Sequence, residues 1–221
     1  MANQSVITIV GTACQPKDET RFNQWYNQVH IPMLLKYKGL LGAARYQITD
    51  PSQAQPKYIA LYRYAGLKEA EGMNKSLEFQ AAIKEMQESW GDGIEIKYAS
   101  NYGVIKEWPP RKGAISSRPV INVVSTRCAP PDDVGFNRWY NETHIPLIMK
   151  SDKVLSVTRY KPLGPDPGPA YLAIYQFGSL KDFEEFGNSP EMAAVGQEMR
   201  QSWGQKFHVV FRVQYELIKQ W

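Results

Sequence analysis

Two histidines lie in the same eleven-residue pattern, which the chain carries twice. The first copy covers residues 22–32 and the second covers residues 136–146, and eight of the eleven positions are identical. Each copy ends in His-Ile-Pro after a tyrosine and two asparagines. Because an imidazole can take or give a proton near neutral pH, His30 and His144 are the candidate general acid/base residues.

The other polar residues of the pattern share one stripe of a helix with the histidine. With Asn23 at zero on a helical wheel, Asn27 lies at about 40° and His30 at about 340°. Tyr26, at about 300°, separates this stripe from the apolar face. A polar edge beside aromatic rings is typical of a pocket wall, so we expect these residues to bind substrate. The second copy supplies Asn137, Tyr140, Asn141 and His144. The apolar face of the first copy consists of Phe22, Trp25, Tyr26, Val29 and Met33.

Pro32 follows His30 by two residues and predicts a kink or a break in the helix, because proline lacks the N–H and disfavours helical geometry at Ile31. Freed backbone carbonyls, or the amide oxygen of Asn27, would then fix one tautomer of His30. Two alternatives stay open. The histidine could instead be a satisfied hydrogen-bonding group that pins the turn, or it could bind a ligand without chemistry.

Tyrosines and arginines on the following strands complete the candidate site. Tyr46 and Tyr160 could stabilise a developing oxyanion by donating hydrogen bonds. The arginines that precede them, Arg45 and Arg159, could bind a substrate carboxylate, although an arginine at a sheet edge more often pairs with an acid. Four further strand tyrosines could take the oxyanion role instead: Tyr58, Tyr62, Tyr171 and Tyr175.

The repeat covers nearly the whole chain of 221 residues. We expect a first repeat over residues 1–108, a linker over 109–118 and a second repeat over 119–221. Turn-forming residues at 49–53 and 162–169 predict a loop between the second and third strands of each repeat.

Hydrophobic periodicity predicts the order strand, helix, strand, strand, helix, strand in each repeat. Strands are expected at residues 5–12, 41–47, 58–64 and 93–105. In the second copy the equivalents of the last two are expected at residues 171–177 and 207–218. Helices are expected from residue 15 to 36, 67 to 89 and 180 to 202, the last two ending at Ser-Trp-Gly with glycine as the C-terminal cap. This is the ferredoxin-like α+β layout. Each four-stranded sheet would keep an apolar face uncovered, so we expect the two repeats to form one pseudo-symmetric α/β barrel.

The pattern Phe-Asn-x-Trp-Tyr-Asn-x-x-His-Ile-Pro, followed by Arg-Tyr on the next strand, resembles the dimeric α/β-barrel superfamily, and within it the EthD-like branch. The resemblance covers both halves, although a usual member builds its barrel from two chains. It implies an enzyme of small-molecule metabolism. The superfamily includes cofactor-free monooxygenases, isomerases, cyclases, dehydratases and haem enzymes, so the reaction stays open.

Composition and motifs exclude several other classes. Hydrophobic residues make up 43% of the chain and charged residues 22%, which is ordinary for a globular protein. Basic residues are scattered, so neither nucleic acid nor membrane is an expected partner. Glycine-rich phosphate loops, paired-histidine metal spacing and the Gly-x-Ser-x-Gly elbow are missing from the sequence. The N-terminal segment lacks secretory character, and a cytoplasmic location is expected.

The sequence therefore predicts a cofactor-free lyase or isomerase that acts on an aromatic, polyketide-like or lactone substrate by histidine acid/base catalysis. The reaction would be a dehydration, isomerisation or cyclisation. One alternative is a non-catalytic protein that binds a hydrophobic metabolite. Another is a monooxygenase, either cofactor-free or haem-dependent, for which unmatched His208 is a conceivable ligand. A homodimer of two such chains is left open.

Overall fold

The computed structural model describes residues 4–111, 118–163, 171–204 and 206–221. Residues 112–117 of the predicted linker and residues 164–169 of the predicted loop lie outside this part of the chain. Among the described residues, no helix combines the length and the apolar character needed to cross a membrane.

Each repeat folds as the predicted βαββαβ unit, built from four strands and two helical regions. The first repeat contains β1 (Val6–Cys14), α1 (Glu19–Trp25), α2 (Ile31–Leu34), β2 (Leu40–Ile48), β3 (Tyr58–Tyr64), α3 (Leu67–Met73), α4 (Leu77–Trp90) and β4 (Ile94–Trp108). The second contains β5 (Val120–Cys128), α5 (Asp133–Trp139), α6 (Ile145–Ile148), β6 (Val154–Leu163), β7 (Tyr171–Phe177), α7 (Leu180–Gly187), α8 (Pro190–Ser202) and β8 (Phe207–Gln220).

The strands pair antiparallel in the same way in both repeats. Strand β1 pairs with β3 and β4, and β2 pairs with β3. Strand β5 pairs with β7 and β8, and β6 pairs with β7. The hydrogen-bonded order β1-β3-β2-β8-β5-β7-β6-β4 is closed, which confirms the predicted α+β barrel fold with eight antiparallel strands.

Internal contacts divide the chain into two compact units. Unit 1 comprises Met1–Val104, Pro162–Asp166 and Leu217–Trp221, and unit 2 comprises Ile105–Lys161 and Pro167–Glu216. Unit 1 thus contains most of the first repeat and the ends of β6 and β8, and unit 2 contains most of the second repeat and the end of β4. Strand β8, for example, ends in unit 1, where the backbone of Trp221 exchanges two hydrogen bonds with Ala43 of β2.

Each unit packs its helices against one face of its strands around a cluster of aromatic rings. In unit 1 the ring of Phe22 lies 5.4 Å from that of Tyr58 and 5.9 Å from that of Trp90. Tyr58, Ala60, Tyr62 and Tyr64 all belong to this core, as the two-residue period of a strand requires. Phe136 takes the place of Phe22 in unit 2, with the ring of Trp203 at 5.6 Å.

The first helix does not break at the proline and Ile31 keeps helical geometry, which corrects that part of the sequence prediction. Residues Tyr26–His30 form a π-helical turn, in which the N–H of Ile31 bonds the carbonyl of Tyr26, and α2 continues with helical geometry at Ile31. The wider turn absorbs one extra residue, which relieves the clash that the ring of Pro32 would otherwise make with the preceding turn. Tyr140–His144 and Pro146 repeat the arrangement.

The extra residue also shifts the buried face of the helix by one position. Val29 was expected on the apolar face but is 36% exposed, whereas His30, Ile31 and Leu34 are buried. The wheel assumed about 100° per residue, whereas the π-helical turn closes an i→i+5 hydrogen bond and advances less per residue. The histidine therefore lies within the buried face of the helix rather than at its border.

The second helical region of each repeat is two helices rather than one continuous helix. Ser76 and Ser189 interrupt it, and each accepts a hydrogen bond from a backbone N–H of the following turn, as an N-cap does. The predicted glycine caps are confirmed, because Gly91 and Gly204 adopt φ values of 50° and 48°.

Candidate functional site

His30 and His144 end the π-helical turns and are almost fully buried, at 7% and 8% exposure. The ring of His30 lies 4.9 Å from those of Trp25 and Tyr26. The ring of His144 lies 4.8 Å from those of Trp139 and Tyr140. In both histidines Nδ1 is buried and has no hydrogen-bond partner within the described residues. Since each residue also lines a cavity, Nε2 is the ring nitrogen left to meet a ligand.

Burial keeps both imidazoles uncharged at neutral pH. The pKa of His30 is lowered to about 4, first by burial, against which Glu85 acts to raise it. The pKa of His144 is also lowered to about 4, by burial and then by the charges of Arg159 and Arg212. Packed rings, rather than the predicted carbonyl or Asn27 oxygen, hold each imidazole in place.

A pair of buried tyrosine hydroxyls lies beside each histidine. The hydroxyls of Tyr26 and Tyr62 are 3.0 Å apart, and those of Tyr140 and Tyr175 are 2.9 Å apart. Burial raises the pKa of all four, so they stay protonated. One hydrogen of each pair forms the mutual bond, which leaves the second O–H of the pair able to donate to a ligand.

Arg45 lies in the core and does not reach the cavity. It has 0% exposure, and its guanidinium donates to Asn27 Oδ1 at 2.7 Å and to Asn23 Oδ1 at 3.0 Å. It also stacks over the ring of Tyr26, with Cζ 4.1 Å from the centroid. The asparagines therefore hold the arginine rather than line the pocket, and no carboxylate reaches the guanidinium within the described chain.

Unit 2 repeats this arginine–asparagine cluster. Arg159 is 1% exposed and donates to Asn141 Oδ1 at 2.8 Å and to Asn137 Oδ1 at 3.0 Å. Its Cζ lies 4.1 Å from the ring centroid of Tyr140. Within the described residues no carboxylate forms an ion pair with this guanidinium, although the charge of Asp133 acts on its pKa. The buried cation thus supports the tyrosine whose ring packs against His144.

The remaining strand tyrosines lie away from the histidines. Tyr46 and Tyr160 follow the arginines by one residue, and alternation along a strand directs them to the opposite face. Within the described residues, neither lines the cavity of His30 or that of His144, and burial raises the pKa of Tyr46 to about 12. Tyr58 donates to Glu19 and accepts from Asn23 at 3.0 Å, and Tyr171 makes the equivalent bonds. Of the predicted oxyanion tyrosines, the structure places Tyr62 and Tyr175 at the histidines.

The larger cavity belongs to unit 2 and measures about 520 Å³. His144 and the Tyr140–Tyr175 pair form one wall, and apolar residues of α7 and α8 form another. The cavity of unit 1 measures about 190 Å³ and is lined by His30, the Tyr26–Tyr62 pair and mostly apolar side chains. Only the first of these volumes falls within the range of about 300–1,000 Å³ that ligand pockets usually show.

Two cavity-lining arginines, Arg200 and Arg212, were missed by the sequence interpretation. Their equivalents in the first repeat are Gln87 and Ala99, at an offset of 113 residues. A comparison of the two repeats position by position carries this signal, because a charge that appears in one copy alone is not required by the shared fold.

The described residues do not fit a haem. A metal-ligating histidine normally donates its second ring N–H to a partner that fixes the ring and raises its basicity, but Nδ1 of His144 has none. His208 lies between Phe207 and Val209, which both line the cavity, so alternation directs its side chain to the other face of β8. Within the described residues, no group of three or more histidine, cysteine or acidic side chains is placed to hold a metal ion.

A family model described as a domain of unknown function (DUF4286) matches residues 124–217. No match was found among curated protein sequences.

Solved structures share the fold at low sequence identity. A provisionally named monooxygenase from Fusobacterium nucleatum superposes with a TM-score of 0.72 at 9% identity, covering 100% of this chain and 95% of that protein. An anthrone oxidase-like protein gives 0.66 at 10% identity, with 99% and 93% covered. A chlorite dismutase mutant from Candidatus Nitrospira defluvii gives 0.65 at 11% identity, also with 99% and 93% covered. The neighbours are dimeric α/β-barrel proteins, and at this identity they show the fold alone.

Proposed function

We propose that the unit 2 cavity binds an aromatic or polyketide-like small molecule and that His144 exchanges a proton with it. The observation that carries this proposal is the position of an uncharged imidazole on the wall of a cavity of about 520 Å³, next to a hydroxyl pair with one hydrogen to donate. The outcome would be a dehydration, isomerisation or cyclisation. Membership of the EthD-like branch belongs to the same proposal.

The chemical step follows from the states of these groups. Nε2 of neutral His144 takes a proton from an acidic C–H or O–H of the substrate. Negative charge then develops on the conjugated oxygen, and the Tyr140–Tyr175 pair donates a hydrogen bond to it. The imidazolium returns the proton at another atom, or to a leaving hydroxyl group in a dehydration.

The low basicity of His144 restricts the substrate. Transfer from a phenol, with a pKa of about 10, to an imidazole with a pKa of about 4 is uphill by about 8 kcal/mol. A hydrogen bond to the anion supplies about 2–3 kcal/mol, and attraction between the anion and the imidazolium about 4 kcal/mol. These terms nearly close the gap for a phenol or a similarly acidic carbon. A simple ketone or an unactivated lactone is a far weaker acid, and these two terms are too small to allow its deprotonation.

Cofactor-free oxygenation is a second candidate, favoured by the names of two structural neighbours, a provisionally named monooxygenase and an anthrone oxidase-like protein. The same deprotonation would start it, because an electron-rich carbanion or phenolate can react with dioxygen. The two candidates therefore share His144 and differ in whether dioxygen is consumed.

The test is untargeted mass spectrometry of a metabolite extract incubated with the protein in air and under nitrogen. His144→Gln is compared with the matched variant His30→Gln, after circular dichroism has shown that both are folded. We expect a product with wild type and His30→Gln, and a loss of about 10²–10⁴-fold in its rate with His144→Gln. A product that forms only in air and gains oxygen would identify oxygenation. Depletion of one compound by all three proteins without a product would show a binding protein and overturn the catalytic proposal.

A further inference from the structure

The two units differ in side-chain volume or charge at four equivalent positions. On α8, Gly196 stands where unit 1 has Ile83, which lines the smaller cavity, so this part of the wall is cut back, and Ala193 stands where unit 1 has Gln80. Where unit 1 has Gln87 and Ala99, unit 2 has Arg200 and Arg212. All four changes fall on α8 or β8, and each of the four unit 2 residues lines the larger cavity.

The result is a difference in charge between the two cavities. The residues that line the unit 1 cavity include neither an acidic residue nor an arginine or lysine. The unit 2 cavity is lined by two arginines and by no acidic residue. Within the described part of the chain, neither Arg200 nor Arg212 forms an ion pair with an acidic side chain.

The position of Arg212 links its charge to the histidine and to the tyrosine pair. It lies opposite Val124 in the β5–β8 ladder, as Ala99 lies opposite Val10 in the β1–β4 ladder. Its charge acts on His144, Tyr140 and Tyr175, although burial is the larger influence on the pKa of each. A cation whose charge reaches these groups would also stabilise an anionic group bound beside the tyrosines.

Arg200 lies one helical turn after Gly196. A Cβ atom at position 196 would be 3.4 Å from Nη1 of Arg200, so the guanidinium lies over the face that the glycine opens. A solvated surface arginine needs no partner, and one alone would mean little. Here two arginines and two small side chains coincide on one cavity, and their counterparts in the first repeat are uncharged or larger.

We propose that the unit 2 cavity selects a ligand with an apolar or aromatic body and an anionic group, such as a carboxylate or phenolate, which Arg212 and Arg200 bind. The unit 1 cavity lacks both the volume and the charge for such a ligand. This inference rests on the proposed function only in taking the unit 2 cavity as the ligand site, and it holds whether or not a reaction follows.

The test uses two fluorescent probes with the same aromatic skeleton. 8-Anilinonaphthalene-1-sulfonate carries a sulfonate, and N-phenyl-1-naphthylamine is its uncharged counterpart. In the double variant Arg200→Gln/Arg212→Ala each arginine is replaced by the residue of the first repeat. We expect the Kd of the sulfonate to rise about tenfold and to lose its dependence on salt. The Kd of the uncharged probe should change less than twofold. An unchanged sulfonate Kd, or an equal change for both probes, would overturn the proposal.

Two further variants control for position and for volume. Adding Gln87→Arg and Ala99→Arg to the double variant restores the net charge at the equivalent positions of unit 1, of which Ala99 lines the small cavity, and we expect no recovery of sulfonate binding. Recovery would show that overall charge, rather than this cavity, attracts the probe. Gly196→Ile should weaken both probes by filling the cavity, whereas unchanged binding would place the probes elsewhere and contradict the assignment. A negative result from mass spectrometry would leave these binding results standing, so the two proposals fail separately.

Discussion

The two units keep one part of their shared motif nearly unchanged and differ in another. The bonds from arginine to the two asparagines measure 2.7 and 3.0 Å in unit 1 and 2.8 and 3.0 Å in unit 2. The cavities beside the histidines measure about 190 and 520 Å³. The comparison separates what the fold needs in both copies from what one copy alone uses for a ligand.

The shared part lies on α1, the following π-helical turn and β2, and on the equivalent elements α5, Tyr140–His144 and β6. The differences lie on α4 and α8 and on β4 and β8. The histidines and tyrosine pairs stand at the junction of these two regions. A folding role and a ligand role therefore meet in the same side chains, and paired variants in the two units can separate the roles.

The largest expected effect is on stability and should be equal in both units. Arg45→Met and Arg159→Met each leave two asparagine oxygens without their donor and remove a cation–π contact. We expect a loss of about 4 kcal/mol in the free energy of unfolding for each. Arg→Lys should recover little, because an ammonium cannot span both asparagines. Urea unfolding followed by fluorescence measures this. A loss confined to Arg159 would show that the cluster is not a requirement shared by both repeats.

The next effect concerns pH and should again be equal. Each histidine has a pKa of about 4 when folded and about 6.5 when unfolded. Between these values the unfolded chain binds a proton that the folded chain does not, so stability is full above pH 6.5 and falls as the pH drops towards 4. The loss is about 3 kcal/mol per histidine. The urea concentration at the unfolding midpoint should therefore depend on pH across this window. His30→Gln and His144→Gln should each reduce that dependence by a similar amount. A steep profile that survives both changes would contradict the assignment of buried, neutral imidazoles.

The sequence predicted the strands well because their residues alternate between two buried faces, as Tyr58, Ala60, Tyr62 and Tyr64 show. It misplaced Val29 because the π-helical turn depends on how the backbone accommodates Pro32, which a wheel of fixed angle ignores.

The site was harder to predict than the fold. Arg45 meets Asn23 and Asn27 only through strand-to-helix packing, a contact between residues about 20 positions apart that periodicity does not report. By contrast, the exchanges Ile83 to Gly196 and Ala99 to Arg212 are visible once the two repeats are compared at equivalent positions. Their meaning required the structure, which places both residues of the second copy on one cavity.

A smaller effect should distinguish the two tyrosine pairs. Tyr175→Phe removes one of the two hydroxyls at His144, and the remaining hydroxyl of Tyr140 can no longer be oriented by its partner. We expect turnover of the substrate found by mass spectrometry to fall about tenfold, which corresponds to about 1.4 kcal/mol. Tyr62→Phe in unit 1 should leave the turnover within twofold of the wild-type rate. Steady-state rates measure both, and equal losses would mean that the two cavities act together.

The smallest effect tests whether the helix caps are equivalent. Ser76 and Ser189 each accept a backbone N–H bond at 3.1 Å, from Phe79 and Met192, and begin α4 and α8. Replacement by alanine should cost about 1 kcal/mol. The cost should be lower at Ser189, because Pro190 already fixes the first helical residue in unit 2. Thermal unfolding of Ser76→Ala and Ser189→Ala measures the difference. Ser189 also lines the larger cavity, so a fall in sulfonate-probe affinity with Ser189→Ala at unchanged stability would place the serine among the groups that meet the ligand. An unchanged affinity would show that Ser189 acts only as the N-cap of α8, the helix that carries Gly196 and Arg200.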